Sequence, residues 1–138
     1  MAAESKGELR LLHVEDSEDD RELFQKALLR VCPGCQLDDA LHPQEALAKL
    51  AQSEVLPHAI ITDSTFSAEH RCDEFIAELR RRHPRIRVFA FSGRSDPDTI
   101  ARAYEAGATG YFVKPATFDQ LVRTIGVIAL FLETCERL

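Results

Sequence analysis

Three carboxylates, one hydroxyl and one ammonium group stand at the ends of short apolar runs in this sequence. His58-Ala59-Ile60-Ile61-Thr62 stops on Asp63, and Leu9 to Val14 stops on Glu15-Asp16. Arg87 to Phe91 stops on Ser92-Gly93, and Gly110 to Val113 stops on Lys114-Pro115. A short apolar run bounded by polar residues is the pattern of a strand buried on both faces. In an open parallel α/β sheet the carboxyl ends of the strands converge on one crevice. The four ends then bring Glu15, Asp16, Asp63, Ser92 and Lys114 together, a set that can hold a divalent cation and a phosphoryl group.

The elements that must position these groups follow from periodicity and caps. Leu23, Phe24, Ala27, Leu28 and Val31 recur at helical spacing, predicting a helix from about Ser17 to Val31 that Pro33-Gly34 ends. Ser17 with Asp20 three residues on has the capping-box pattern, and acids suit the positive end of a helix dipole, so Glu18, Asp19 and Asp20 are read as helix-start residues. Glu15 and Asp16 precede that cap, where like charges repel unless a cation joins them; these two are assigned to metal. A second strand is expected near Gln36 to Ala40, then a helix opened by Pro43 and buried on Ala46, Leu47 and Leu50. After Asp63, residues 64–72 show no clear period. A third helix bears Phe75, Ile76 and Leu79 and ends in the basic run Arg80-Arg81-Arg82, which the macrodipole favours at a helix C-terminus. Ser95-Asp96-Pro97 opens a fourth helix that Gly107 closes, and Thr117 to Gln120 is a second capping box opening the last one. Five strands alternating with five helices predict a parallel sheet with right-handed crossovers.

Composition narrows the function. The 138 residues, 45% hydrophobic and 29% charged, suit one domain with a substantial core, read as a short tail over residues 1–8 and a folded unit over 9–138. A formal net charge of −6 argues against a general nucleic-acid surface or an anionic membrane surface. Neither a membrane span nor a signal-peptide apolar region is found, so a soluble, cytoplasmic protein is expected. Four cysteines are too few for a disulfide scaffold. Cys32-Pro33-Gly34-Cys35 follows a helix instead of opening one, so it is read as a plain turn rather than a redox or zinc motif. His13 is read as a core histidine.

Glu15-Asp16, Asp63, Ser92-Gly93 and Tyr111-Phe112-Val113-Lys114-Pro115, in this order and at these strand ends, resemble the receiver domain of two-component response regulators over about residues 9–132. The resemblance implies an α/β, doubly wound, five-stranded parallel sheet of order 2-1-3-4-5 flanked by five helices, the flavodoxin-like receiver fold. It implies that Asp63 accepts a phosphoryl group from a sensor histidine kinase or a phosphotransfer protein. Mg²⁺ (or Mn²⁺) would be held by Glu15, Asp16, Asp63 and the backbone carbonyl of Thr65. Lys114 and Ser92 would contact the phosphoryl group and Tyr111 would act as the switch, while Thr65 and Arg94 would tune its lifetime. The domain would assist its own phosphorylation and dephosphorylation without turning over a separate substrate, so it is not read as an enzyme in the ordinary sense. Residues 67–72 depart from the family's usual proline and glycine pattern in the loop after the phosphoacceptor.

Rival chemistries fit less well. A flavodoxin-type carrier needs a phosphate loop where Glu15-Asp16 stands, and an aspartate-based phosphatase needs an acid where Thr65 stands. A phosphate-independent interaction module, or a receiver fragment of a larger hybrid protein, is the alternative. On the last helix, at about 100° per residue, Leu121, Ile125, Ile128 and Leu132 form the stripe facing the sheet, and Val127, Leu130 and Phe131 face away from it. A second apolar stripe suggests a partner face, and its ending resembles that of stand-alone receivers partnered with bacterial phytochrome-type kinases. A homodimer through the last helix is expected.

Overall fold

The structure is a computed structural model that describes residues 8–63 and 72–135. In chain order the elements are β1 (Arg10–Val14), α1 (Glu18–Val31), β2 (Gln36–Ala40), α2 (Pro43–Gln52), β3 (Ala59–Asp63), α3 (Cys72–Arg82), β4 (Arg87–Ser92), α4 (Pro97–Ala106), β5 (Gly110–Val113) and α5 (Phe118–Cys135). The five strands form one sheet in the order β2-β1-β3-β4-β5, and every neighbouring pair is parallel. Fold class, strand order and the alternation of strand and helix are as expected from the sequence.

Period-two alternation along the strands divides the core into two layers. Leu11 of β1, Ala59 and Ile61 of β3 and Phe89 and Phe91 of β4 face α1 and α5, where they meet Phe24, Leu28, Ile125, Ile128 and Leu132. Leu12, Val14, Ile60 and Val88 face the other way and meet Ala46 and Leu50 of α2, Phe75, Ile76 and Leu79 of α3, and Ala103 of α4. Both faces of the central strands are covered, which is why β1, β3 and β4 read as continuous apolar runs.

Register levels the strand ends. Val14 lies beside Thr62, Asp63 beside Phe91, and Ser92 beside Val113. The residue following β1 therefore stands level with the last residue of β3.

The caps fix where the helices start and stop. Ser17 accepts the Asp20 N–H through its Oγ at 3.2 Å, and Asp96 accepts the Thr99 N–H at 3.1 Å. Pro97 fills the first turn of α4, where its missing N–H costs nothing. Gly107 closes α4 at φ 117°, in the left-handed region, with its N–H bonded to Ala103 and Tyr104 carbonyls. A Cβ there would also run into the Arg80 side chain.

One expectation is corrected. The turn between α1 and β2 carries a disulfide, Cys32 to Cys35, with Cα atoms 5.5 Å apart. The Cys32 N–H caps α1 on the Leu28 carbonyl, and the Cys35 N–H bonds back to the Cys32 carbonyl at 3.0 Å. That tight turn brings the two side chains within bonding reach, which spacing alone does not reveal.

Candidate functional site

The strand ends converge as expected. Glu15 and Asp63 are almost fully buried, at 3% and 2% exposure, whereas Asp16 is exposed. One carboxylate oxygen from each of Glu15, Asp16 and Asp63 lies within 4.8 Å of the others. Three hard oxygens, two buried and one reaching solvent, form a donor set suited to Mg²⁺ or Mn²⁺, with solvent access for the waters such ions retain. Lys114 Nζ stands 3.4 Å from Asp63 Oδ1, 3.4 Å from Glu15 Oε1 and 3.5 Å from Asp20 Oδ2.

Each group is held from behind. The Glu15 N–H extends the sheet onto the Ala40 carbonyl at 2.9 Å, and the Lys114 N–H donates to the Ser92 carbonyl at 2.7 Å. The Ser17 N–H donates to Glu15 Oε2 at 3.1 Å. In a full capping box that N–H would be taken by the side chain of Asp20. Glu15 takes it instead, and Asp20 turns to Lys114. Arg21 donates to the Glu15 carbonyl at 2.9 Å, so a cation also steadies the loop from the second turn of α1.

Electrostatics follow from this crowding. Burial pushes the Glu15 carboxyl up to about 7, and the Asp63 carboxylate adds to it against the opposing pull of the Ser17 N–H and Lys114. A second cation at this place would relieve that repulsion, which is the physical fit between these residues and a metal ion. Burial works against the ammonium form of Lys114, but Asp63, Glu15 and Asp20 together outweigh it and raise its pKa. His13, stacked on Phe24 with ring centroids 4.0 Å apart, is driven down to about 3, chiefly by burial. It is a neutral core histidine at the floor of the site, as expected.

Ser92 is fully buried at the end of β4, and its Oγ accepts the Arg94 N–H at 2.9 Å. A hydroxyl that accepts one bond still has a proton to donate. The Arg94 side chain turns outward to Asp96 at 2.9 Å and lies outside the carboxylate cluster. Hydrogen bonds from Thr99 and Arg94 hold the Asp96 carboxyl well below the usual carboxylate range. The Tyr111 hydroxyl donates to the Arg94 carbonyl at 2.7 Å, and the Tyr111 N–H donates to the Tyr104 hydroxyl at 3.1 Å. Tyr111 thus touches the same short loop that presents Ser92. Thr65 lies outside the described residues.

Asp20 and Arg21 are the site residues that sequence reasoning missed. Their signal was positional: a helix whose cap stands two residues after a strand-end carboxylate must set its first turn over the same crevice. Beside the carboxylates lies a cavity of about 150 Å³ between α1 and the start of α5, reached by His13, Glu15, Asp20, Phe24, Lys114 and Thr117.

The last helix divides its apolar residues. Val127 and Leu130 are 58% and 66% exposed. Phe131, expected to face away from the sheet, instead packs against β4: its ring stands perpendicular to that of Phe89, centroids 5.8 Å apart, and the Arg87 guanidinium lies over it. No helix among the described residues is long and apolar enough to cross a membrane.

Residues 11–126 match the response regulator receiver domain family. The chain is 30% identical over 125 residues to the alginate biosynthesis transcriptional regulatory protein AlgB of Pseudomonas syringae pv. tomato, which covers 88% of this chain and 26% of AlgB. It thus spans about a quarter of the length of that relative. Among solved structures, the phosphorylated cyanobacterial phytochrome response regulator RcpA superposes with TM-score 0.80 at 24% identity, covering 91% of this chain and 94% of RcpA. The Mn²⁺-bound response regulator Rcp1 gives TM-score 0.77 at 24% identity, covering 91% of this chain and 96% of Rcp1. These two likenesses carry the fold.

Proposed function

This chain belongs to the response regulator receiver domain family, and on that premise we propose that it accepts a phosphoryl group on Asp63 from a sensor histidine kinase or a phosphotransfer protein. The observation that carries the reading is the buried Asp63 carboxylate with Lys114 Nζ at 3.4 Å and Glu15 and Asp16 beside it. A carboxylate oxygen of Asp63 attacks phosphorus, the bond to the donor's imidazole nitrogen breaks with its electron pair going to the imidazole, and an acyl phosphate remains on Asp63. Glu15, Asp16, Asp63 and the Thr65 carbonyl would hold Mg²⁺ or Mn²⁺. Bound there, the cation neutralises the charge on the phosphoryl oxygens during transfer. Lys114 pairs with one phosphoryl oxygen and Ser92 donates its hydroxyl to another. The domain assists its own phosphorylation and turns over no separate substrate.

Readout runs through the loop after β4. Drawing Ser92 toward a phosphoryl group shifts the Arg94 carbonyl that anchors the Tyr111 hydroxyl, and the ring turns inward, changing the face built by α4, β5 and α5. Thr65 and Arg94 would tune the lifetime of the phosphoryl group. Val127, Leu130 and the open edge of Phe131 form the contact between two copies.

The deciding experiment is intact-mass analysis after incubation with acetyl phosphate and Mg²⁺. One phosphoryl adduct is expected on the wild type and none on Asp63→Asn. An adduct of equal yield on that variant would move the acceptor elsewhere.

A further inference from the structure

Cys32 and Cys35 take no part in phosphoryl chemistry, and their surroundings define a different one. They are not half of a metal site: the one group of three ligating side chains among the described residues is Glu15, Asp16 and Asp63. Nor does the fold need a staple, because a domain of this size with two buried layers holds itself together without one. What remains is the reactivity of the bond itself.

Three observations bear on it. The two sulfurs are unequal: Cys32 is buried in the layer shared by α1 and α5, whereas Cys35 is partly exposed beside the exposed Pro33 and Gly34. A Cβ built on Gly34 meets nothing within 4 Å, so an incoming thiol finds open space over the turn. The pair also sits at the C-terminal end of α1, with Cys32 as the C-cap. There the helix dipole disfavours a thiolate, the reverse of the helix N-terminus that stabilises reduced sulfur in oxidoreductases. The disulfide is therefore the favoured member of the pair.

We propose that Cys32 and Cys35 form a thiol–disulfide exchange site, resting as the disulfide and opened by a small monothiol of the glutathione class that attacks Cys35. The attacking thiolate bonds to Cys35 Sγ, the S–S bond breaks, and Cys32 leaves as a thiolate that takes a proton. A second monothiol thiolate attacks the monothiol sulfur of the mixed disulfide, releasing the oxidised dimer of the monothiol and the Cys35 thiolate. Two monothiols are oxidised and one protein disulfide is reduced. Because Val31, Cys35 and Leu37 pack on the core that holds Ile128 and Leu132, opening the bond loosens the α1–β2 corner against α5.

The test uses the full chain equilibrated in mixtures of reduced and oxidised glutathione, then alkylated under denaturing conditions and weighed intact. Two alkyl groups are expected in balanced mixtures, with the disulfide at least about tenfold in excess over the dithiol, four in a large excess of reduced glutathione, and two again on return to oxidised glutathione. The Cys32→Ser variant should gain one glutathione adduct at Cys35 several-fold faster than Cys35→Ser gains one at Cys32. Opening the bond should lower the unfolding temperature of the wild type by roughly a few degrees and leave a Cys32→Ser, Cys35→Ser double variant unmoved. Four alkyl groups in every glutathione mixture, or only two even in a large excess of reduced glutathione, would overturn the site. A faster adduct on Cys35→Ser would overturn the assigned direction of attack.

Discussion

Glu15 is pulled two ways, toward charge by Lys114 and the Ser17 N–H and away from it by burial beside Asp63. Its folded pKa of about 7 lies above the unfolded value of 4.5, so between those values the folded state binds more protons than the unfolded one. Without a divalent cation, Glu15 then costs stability as pH rises through that window. Glu15→Gln should be indistinguishable from wild type near pH 4 and more stable near pH 7.5 by an amount on the order of 2 kcal/mol, read by urea unfolding in chelator. Mg²⁺ should shrink the difference, and a gap that is constant across pH would remove the repulsion argument. The other carboxylates divide by geometry. Asp16→Asn should weaken Mg²⁺ binding roughly tenfold or more in a fluorescence or calorimetric titration, while Glu18→Gln should change it less than twofold. Equal losses would merge the roles assigned to cap and metal. At this scale the sequence was informative about Glu15, Asp16, Asp63, Ser92 and Lys114, since each is tied to a strand end. For Asp20 and Arg21 it placed the first turn of α1 over the crevice but not their direction, because helical phase and not strand register decides where they point.

Helix ends were legible where a residue type is dictated by backbone geometry. Asp96-Pro97 and Gly107 bracket α4 as expected, since an N-cap acceptor, a first-turn proline and a left-handed C-cap each have few candidates. Gly107→Ala makes that dependence measurable. It forces a Cβ into positive φ and into the Arg80 side chain, whose guanidinium already bonds the Pro84 and Ile86 carbonyls. The expected cost is on the order of 2 to 3 kcal/mol in chemical denaturation. A loss under about 0.5 kcal/mol would mean that the α3–α4 corner re-forms around the methyl group. Helical faces were less legible. Leu23 shares the period of Phe24 and Leu28 yet stands largely exposed at the rim of the cavity beside the carboxylates. At this end α1 overhangs the crevice, so a residue in phase with the core stripe borders the cavity instead of the sheet. The Cys32–Cys35 turn differs from expectation for a related reason: a spacing of three residues states nothing about the direction in which two side chains leave a helix end.

The strand order of the whole molecule was legible only through family resemblance, whereas its parallel character followed from apolar runs interrupted by helices. Its outer surface offers Val127 and Leu130 on α5 and Val113 at the end of β5. Sedimentation should show self-association at tens of micromolar that strengthens after treatment with acetyl phosphate and Mg²⁺. Val127→Glu with Leu130→Glu should abolish it while leaving phosphorylation intact. A wild type that stays monomeric in both states would release this face for a different partner. The order β2-β1-β3-β4-β5 also bears on how the chain is made. Synthesis delivers β1, α1 and β2 first, and these can pair β1 with β2, but the opposite edge of β1, Leu11-Leu12-His13-Val14, is completed only by β3. About fifty residues must therefore leave the ribosome while a buried-type strand edge stands open, the condition under which nascent chains pair with one another. Slowing translation between Gln36 and Asp63 should lower soluble yield, whereas the same delay after Val113, once both edges of β1, β3 and β4 are paired, should lower it less.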